Sequence, residues 1–235
     1  MEQIQNNRVI TDLYRENAQF PGIALDGSDV YLCWQRFVDR HDSLMASCRR
    51  GDEVVWEREI SDGGEVLHPV ILAHGGAIWY AWSEYARENW RILARCYRDG
   101  QWGEVLTVAS GEALFFPRLF TWQGKLHVIW TEQHKGSAAA VLCPLTEAGP
   151  GAAETVSVVG EAYRAGAAEG GDGNLYVAYD GFDGKQYKLF ARARTAAGWS
   201  EEIVVSQGED WASTPWIAAK PDGAVVGWYD YGYMA

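Results

Sequence analysis

Two sets of carboxylates recur along this 235-residue chain. Glu16, Glu65, Glu112, Glu161 and Glu209 each stand four to six residues before an apolar stretch led by Pro or Gly. Glu84, Glu132, Asp180 and Asp230 follow an aromatic residue by one or two positions, and Arg36 takes that place in the first copy. Carboxylates gathered at one mouth could hold a cation or accept hydrogen bonds from sugar hydroxyls. A pair of them could serve as general acid and base. Tyr14, His68, Phe115, Phe116, Tyr163 and Trp211 lie beside them and offer flat faces to a sugar ring. The competing reading is architectural: a glutamate present in every copy caps backbone N–H groups in a repeated turn.

The elements that carry these residues repeat. PGIALDGSDVYLCW (21–34), PVILAHGGAIWYAW (69–82), PRLFTWQGKLHVIW (117–130), GAAEGGDGNLYVAY (166–179) and PWIAAKPDGAVVGW (215–228) align without gaps. Their terminal aromatics, Trp34, Trp82, Trp130, Tyr179 and Trp228, are 48, 48, 49 and 49 residues apart. Such a period indicates a propeller, a solenoid or an array. Within 77–82, Ile78, Tyr80 and Trp82 alternate with Trp79 and Ala81, so both faces of the strand are apolar. That pattern belongs to a sheet packed between two others. HGG, QGK, DGN and PDG supply the hairpin turns. Third strands follow at 43–48, 91–96, 138–143 and 187–193, and fourth strands at 54–60, 103–109, 154–159 and 201–206.

The expected fold is therefore all-β: a five-bladed β-propeller of four-stranded antiparallel blades, in one domain spanning 1–235. The blades fall at about 21–60, 69–109, 117–159 and 166–206, with 215–235 completed by 1–13. In that last blade VIT (9–11) stands twelve residues before Pro21, as VLT (105–107) stands before Pro117, and reads as a fourth strand. EQIQ and Asn6-Asn7 read as a third strand and its turn. Pairing the two chain ends would leave no open sheet edge. A partial ring, or one completed by a second chain, is the alternative to a closed monomer.

Composition narrows the partners. A net charge of −12 argues against binding nucleic acid through its phosphates or docking on anionic membranes. MEQIQNNRVITDL lacks the layout of a signal peptide, and no run of 18 apolar residues occurs. A cytoplasmic protein and a piece trimmed from an exported one both fit. Cys48, Cys96 and Cys143 recur at the repeat spacing and, with Cys33, read as small buried hydrophobes rather than bridges. The five histidines have no metal-ligand spacing, so no cofactor is expected; calcium is conceivable but has no motif. Trp56, Trp102 and Trp199 open the fourth strands and read as packing between blades.

The phrase P-x-I-A…G-x-L-Y-V-x-W, followed by a strand ending D-G-x-W, resembles the sialidase-type propeller repeat. The five phrases above, YRDGQW (97–102) and TAAGWSEE (195–202) carry the resemblance. It implies the fold and no activity, because the Asp-box S-x-D-x-G-x-x-W is intact in no copy. The family's arginine triad finds only Arg118 within a first strand and Arg164 just before one. The leading expectation is a non-catalytic module that binds carbohydrate or another small polar ligand at an acidic mouth. The alternatives are a glycoside hydrolase using paired carboxylates, and a scaffold or engineered or partial repeat protein without a native ligand.

Overall fold

A computed structural model describes residues 17–61 and 63–231. The expected strands before Asn17, with Tyr14 and Glu16, lie outside the described residues.

The described chain forms five antiparallel sheets in sequence order. The first contains Asn17–Asp26, Asp29–Val38, His41–Arg50 and Glu53–Glu59. The second opens with Glu65–His74, Ala77–Ala86 and Asn89–Arg98, the third with Ala113–Trp122, Lys125–His134 and Ser137–Thr146. The fourth opens with Ala162–Glu169, Leu175–Phe182 and Tyr187–Thr195, and the fifth contains Trp211–Lys220 and Gly223–Tyr231. The first strand of each sheet packs against the first strand of the next. The sheets thus stand side by side around a common centre, in the manner of a β-propeller.

Three fourth strands, expected to be continuous, are broken into two short pieces. In the second sheet these are Gln101–Trp102 and Leu106–Gly111. Gly103 marks the break and donates its N–H to the Cys96 carbonyl at 2.9 Å. Gly151 to Pro144 and Ser200 to Ala193 repeat that contact at 2.8 Å each. A side chain at Gly103 would meet the Cys96 Sγ at 2.9 Å.

The core lies in the seams between sheets. Ile78, Tyr80 and Trp82 pack with Tyr31, Cys33, Leu44 and Ala46 of the first sheet. Ala77, Trp79 and Ala81, on the opposite face, pack with Leu126, Val128 and Trp130 of the third. One strand thereby serves two seams, which is why 77–82 lacks a polar face. Each large side chain buried this way contributes about 1.5–3 kcal/mol. Trp56 and Trp102 stand 5.4 Å apart in the first seam, within a cluster that includes Tyr31, Tyr80 and Tyr97. Cys33, Cys48, Cys96 and Cys143 are buried free thiols. Burial pushes Cys33 up to about 12 and Cys143 up to about 11.

Candidate functional site: a central cavity walled by five bulges

Every first strand carries a β-bulge at the same place. Between Gln19 and Gly22 the first strand advances three residues while its partner advances two, from Gln35 to Cys33. The same shift occurs at Leu67/Val70, Phe115/Arg118, Tyr163/Gly166 and Ser213/Trp216. The repeating aromatics Trp34, Trp82, Trp130, Tyr179 and Trp228 are the residues that face these bulges.

The bulged residues are Phe20, His68, Phe116, Arg164 and Thr214, at φ of 51°, 53°, 55°, 40° and 55°. Bulky residues rarely adopt positive φ, and each such residue costs of order 1–3 kcal/mol. Four of the five precede a proline: Pro21, Pro69, Pro117 and Pro215. Proline has no N–H to give the ladder, so a bulge is where a strand tolerates it. Together the five residues line one central cavity of about 430 Å3, with Pro21, Pro69, Pro117, Val70 and Arg118.

Four of these side chains form a continuous wall. Phe20 meets His68 edge-on at 4.9 Å between ring centroids, and His68 meets Phe116 at 4.3 Å. The Arg164 guanidinium lies over the Phe116 ring at 5.9 Å. Its backbone N–H donates to Thr131 Oγ1 of the preceding sheet at 3.1 Å. Arg164 Nε also donates to both oxygens of Asp180, at 3.1 and 3.0 Å, and Nη2 adds a third contact. Burial, then the positive charge of Arg118, lowers His68 to about 4, so the ring is neutral at physiological pH. Burial likewise lowers the pKa of Arg118.

The carboxylates expected on loops are mostly part of the sheets. Glu65 begins a first strand, and Glu84, Glu132, Asp180 and Asp230 lie in second strands. Glu112, Glu161 and Glu209 stand just ahead of first strands. Glu65 accepts a hydrogen bond from the Asp42 N–H of the preceding sheet at 3.0 Å and lies 3.6 Å from His41. That contact is the capping role weighed against a ligand role. Glu112 pairs with His134 at 3.0 Å. Glu84 is fully buried and takes hydrogen bonds from Trp82 Nε1 at 3.0 Å and Arg91 Nη2 at 2.5 Å.

Asp180 is not the counterpart of Glu84. Glu84, Glu132 and Asp230 face Val66, Leu114 and Ala212, two places before the bulge. Asp180 faces Tyr163, one place before it, as Ser83 faces Leu67 and Thr131 faces Phe115. A one-residue offset on a strand turns the side chain to the opposite face, and Asp180 is thereby turned to Arg164.

This cavity is not the acidic mouth expected from the sequence. Among the described residues no Asp or Glu lines the cavity, and its charged groups are Arg118 and Arg164. Of the expected ligand contacts, His68 and Phe116 line it. Tyr163 and Trp211 stand apart from that wall, sharing Tyr187 as a neighbour at 6.2 and 5.5 Å. Glu132, Glu161, Glu209 and Asp230 lie outside the lining. The sequence did not single out Phe20 and Thr214 as site residues, nor the cavity positions of Arg118 and Arg164. The readable signal for the bulges was the recurring proline inside a strand, with a bulky residue before it. Among the described residues, no three of His, Cys, Asp and Glu converge as metal ligands.

Neither a protein-family model nor a curated protein matches this sequence. Solved structures do. The endo-arabinase of Bacteroides thetaiotaomicron aligns over 92% of this chain and 94% of its own, with a TM-score of 0.56 at 11% identity. The arabinanase of Bacillus subtilis aligns over 91% of both chains, with a TM-score of 0.51 at 14% identity. A family 117 glycoside hydrolase of Zobellia galactanivorans aligns over 89% of this chain and 74% of its own, with a TM-score of 0.54 at 12% identity.

The class these observations define is the β-propeller. They give no particular support to the sialidase-like group. They also correct the leading expectation of a non-catalytic binding module, because these neighbours are glycoside hydrolases and the hydrolase alternative accords with them better.

Proposed function

We propose that this protein is a glycoside hydrolase whose sugar-binding pocket is the central cavity. The observation that carries the reading is the five-fold set of strained bulges directing Phe20, His68, Phe116, Arg164 and Thr214 into one space. Strain held at one place in every sheet marks a surface kept for more than packing. The apolar stack offers a sugar face, and His68 and Thr214 supply polar contacts. The likeness to arabinanases makes arabinan the first polymer to test.

The reacting carboxylates then come from the strands around the cavity. Asp180, held beside it by Arg164, is one candidate. Glu132 on the neighbouring sheet and Glu161 ahead of the fourth are candidates for its partner. Incubation with arabinan and a panel of aryl glycosides, read as reducing sugar released, tests the reading. Cleavage lost in Glu132→Gln or Glu161→Gln, with the fold intact, supports it. No cleavage of any substrate by the native protein removes it.

We further propose that the ring closes as five blades in a single-domain monomer, the N-terminal residues pairing with the fifth sheet. Supporting this, Trp216, Val225, Tyr229 and Tyr231 of the fifth sheet and Ile23 and Leu25 of the first are exposed among the described residues. Apolar side chains on neighbouring sheet faces are what a covering strand pair would bury.

A further inference from the structure

We propose that Arg118 is an oxyanion receptor inside the central cavity, so that the ligand carries a carboxylate or phosphate group. The sugar part of such a ligand rests on the hydrolase reading above; the anion site stands on the geometry alone.

Arg118 lies immediately after the bulge of the third sheet, opposite Ile129, and lines the cavity. The other two cavity groups able to carry positive charge do not offer an anion a rival site. His68 is neutral, and Arg164 is already committed to Asp180. Among the described residues no carboxylate pairs with Arg118, and none lines the space it faces. The cavity therefore keeps one uncompensated, half-buried guanidinium in a wall of Phe, Pro and His.

A cation in that position is unfavourable without a partner. An interior ion pair would be the ordinary remedy, and the chain uses it twice nearby, in Glu84–Arg91 and Asp180–Arg164. At Arg118 the space for a partner is open instead, and at about 430 Å3 it admits a ligand of monosaccharide size. The planar guanidinium fork matches the two oxygens of a carboxylate or phosphate. The surrounding apolar wall strengthens that attraction by excluding water. A single uncompensated charge favours one anionic group per ligand, beside a ring that stacks on His68 and Phe116.

The test titrates the intact protein separately with D-galacturonate, D-galactose and inorganic phosphate, by calorimetry and by melting temperature. Galacturonate is expected to bind at least about tenfold more tightly than galactose, the scale of one charge-assisted contact. Arg118→Met should abolish that preference. Without ligand, Arg118→Met should melt no lower than the native protein, because a half-buried charge without a partner has been removed. If phosphate binds through Arg118 and galacturonate does not, the receptor stands and the natural group is a phosphate. Binding of neither anion, equal binding by Arg118→Met, or loss of fold in that variant overturns the proposal. Anion binding without glycoside cleavage keeps the receptor and removes the hydrolase. Cleavage of neutral glycosides without anion binding does the reverse.

Discussion

His68 and Phe116 meet at 4.3 Å across the seam between the second and third sheets, each projected by a bulge at positive φ. The contact joins two copies of the repeat at the one place where all five converge. It also fixes the protonation of His68, because a ring packed against Phe20 and Phe116 near Arg118 is deprived of water and faces a positive charge.

That environment predicts an acid-dependent stability. His68 is lowered to about 4 in the folded protein, against about 6.5 when unfolded. Between those values the unfolded chain binds the proton first, so stability falls as pH drops from 6.5 towards 4 and levels off below. The expected contribution is on the order of 2–3 kcal/mol. His127, also lowered by burial, adds to the same slope. Urea denaturation across this range should show a shallower slope in His68→Gln. An unchanged slope would mean that His68 is hydrated.

The first seam is sensitive to a single methyl group. A side chain at Gly22 would meet the Cys33 Sγ and the Ile71 Cγ2, each at 2.9 Å. Gly22→Ala is expected to destabilise the protein by about 1–3 kcal/mol, the range for overpacking. Cys33→Ala in the same chain should restore part of the loss. Full stability in Gly22→Ala alone would show that the two sheets can move apart.

The buried Glu84–Arg91 pair should behave as architecture. Arg91→Met leaves the fully buried Glu84 carboxylate without its cation, and a loss of about 3 kcal/mol is expected. Glu132→Gln, at the matching but exposed position, should change stability by no more than about 0.5 kcal/mol. Chemical denaturation of the two variants side by side decides this. Equal effects would deny the contrast between a buried ion pair and an open carboxylate.

Much of the ring was legible because one residue pattern reports on two seams at once. Ile78, Tyr80 and Trp82 against Trp79 and Ala81 can only belong to a strand covered on both sides, and the structure places them in two different core clusters. The recurring aromatic was legible too, although not its task of facing a bulge. Strand ends were harder to read. Glu65 and Glu84 look like loop residues because polarity normally rises where a strand stops, yet both remain paired in the ladder. Asp180 was grouped with Glu84 because each closely follows the core aromatic. One residue fewer in that interval sends it to the other face. The cavity residues escaped because Phe20, His68, Phe116, Arg164 and Thr214 share no side-chain chemistry. What they share is a backbone conformation, and its only trace in sequence is the proline that follows four of them.

Removing the N-terminal residues tests ring closure. A chain starting at Asn17 should melt lower than the native protein and bind a hydrophobic dye at the fifth sheet, where Trp216, Val225 and Tyr229 are exposed. Identical melting and no gain in dye binding would mean that the first sixteen residues do not cover that sheet.

The most direct test of the central claim compares glycoside hydrolysis by the native protein and by Phe116→Ala. Phe116 lies in the cavity wall, between His68 and Arg164, and carries no reacting group. If the central cavity holds the sugar, kcat/KM should fall at least tenfold in Phe116→Ala, while circular dichroism still reports a folded sheet protein. Hydrolysis undiminished in that variant, or none by the native protein on arabinan and the aryl glycosides, would contradict the assignment.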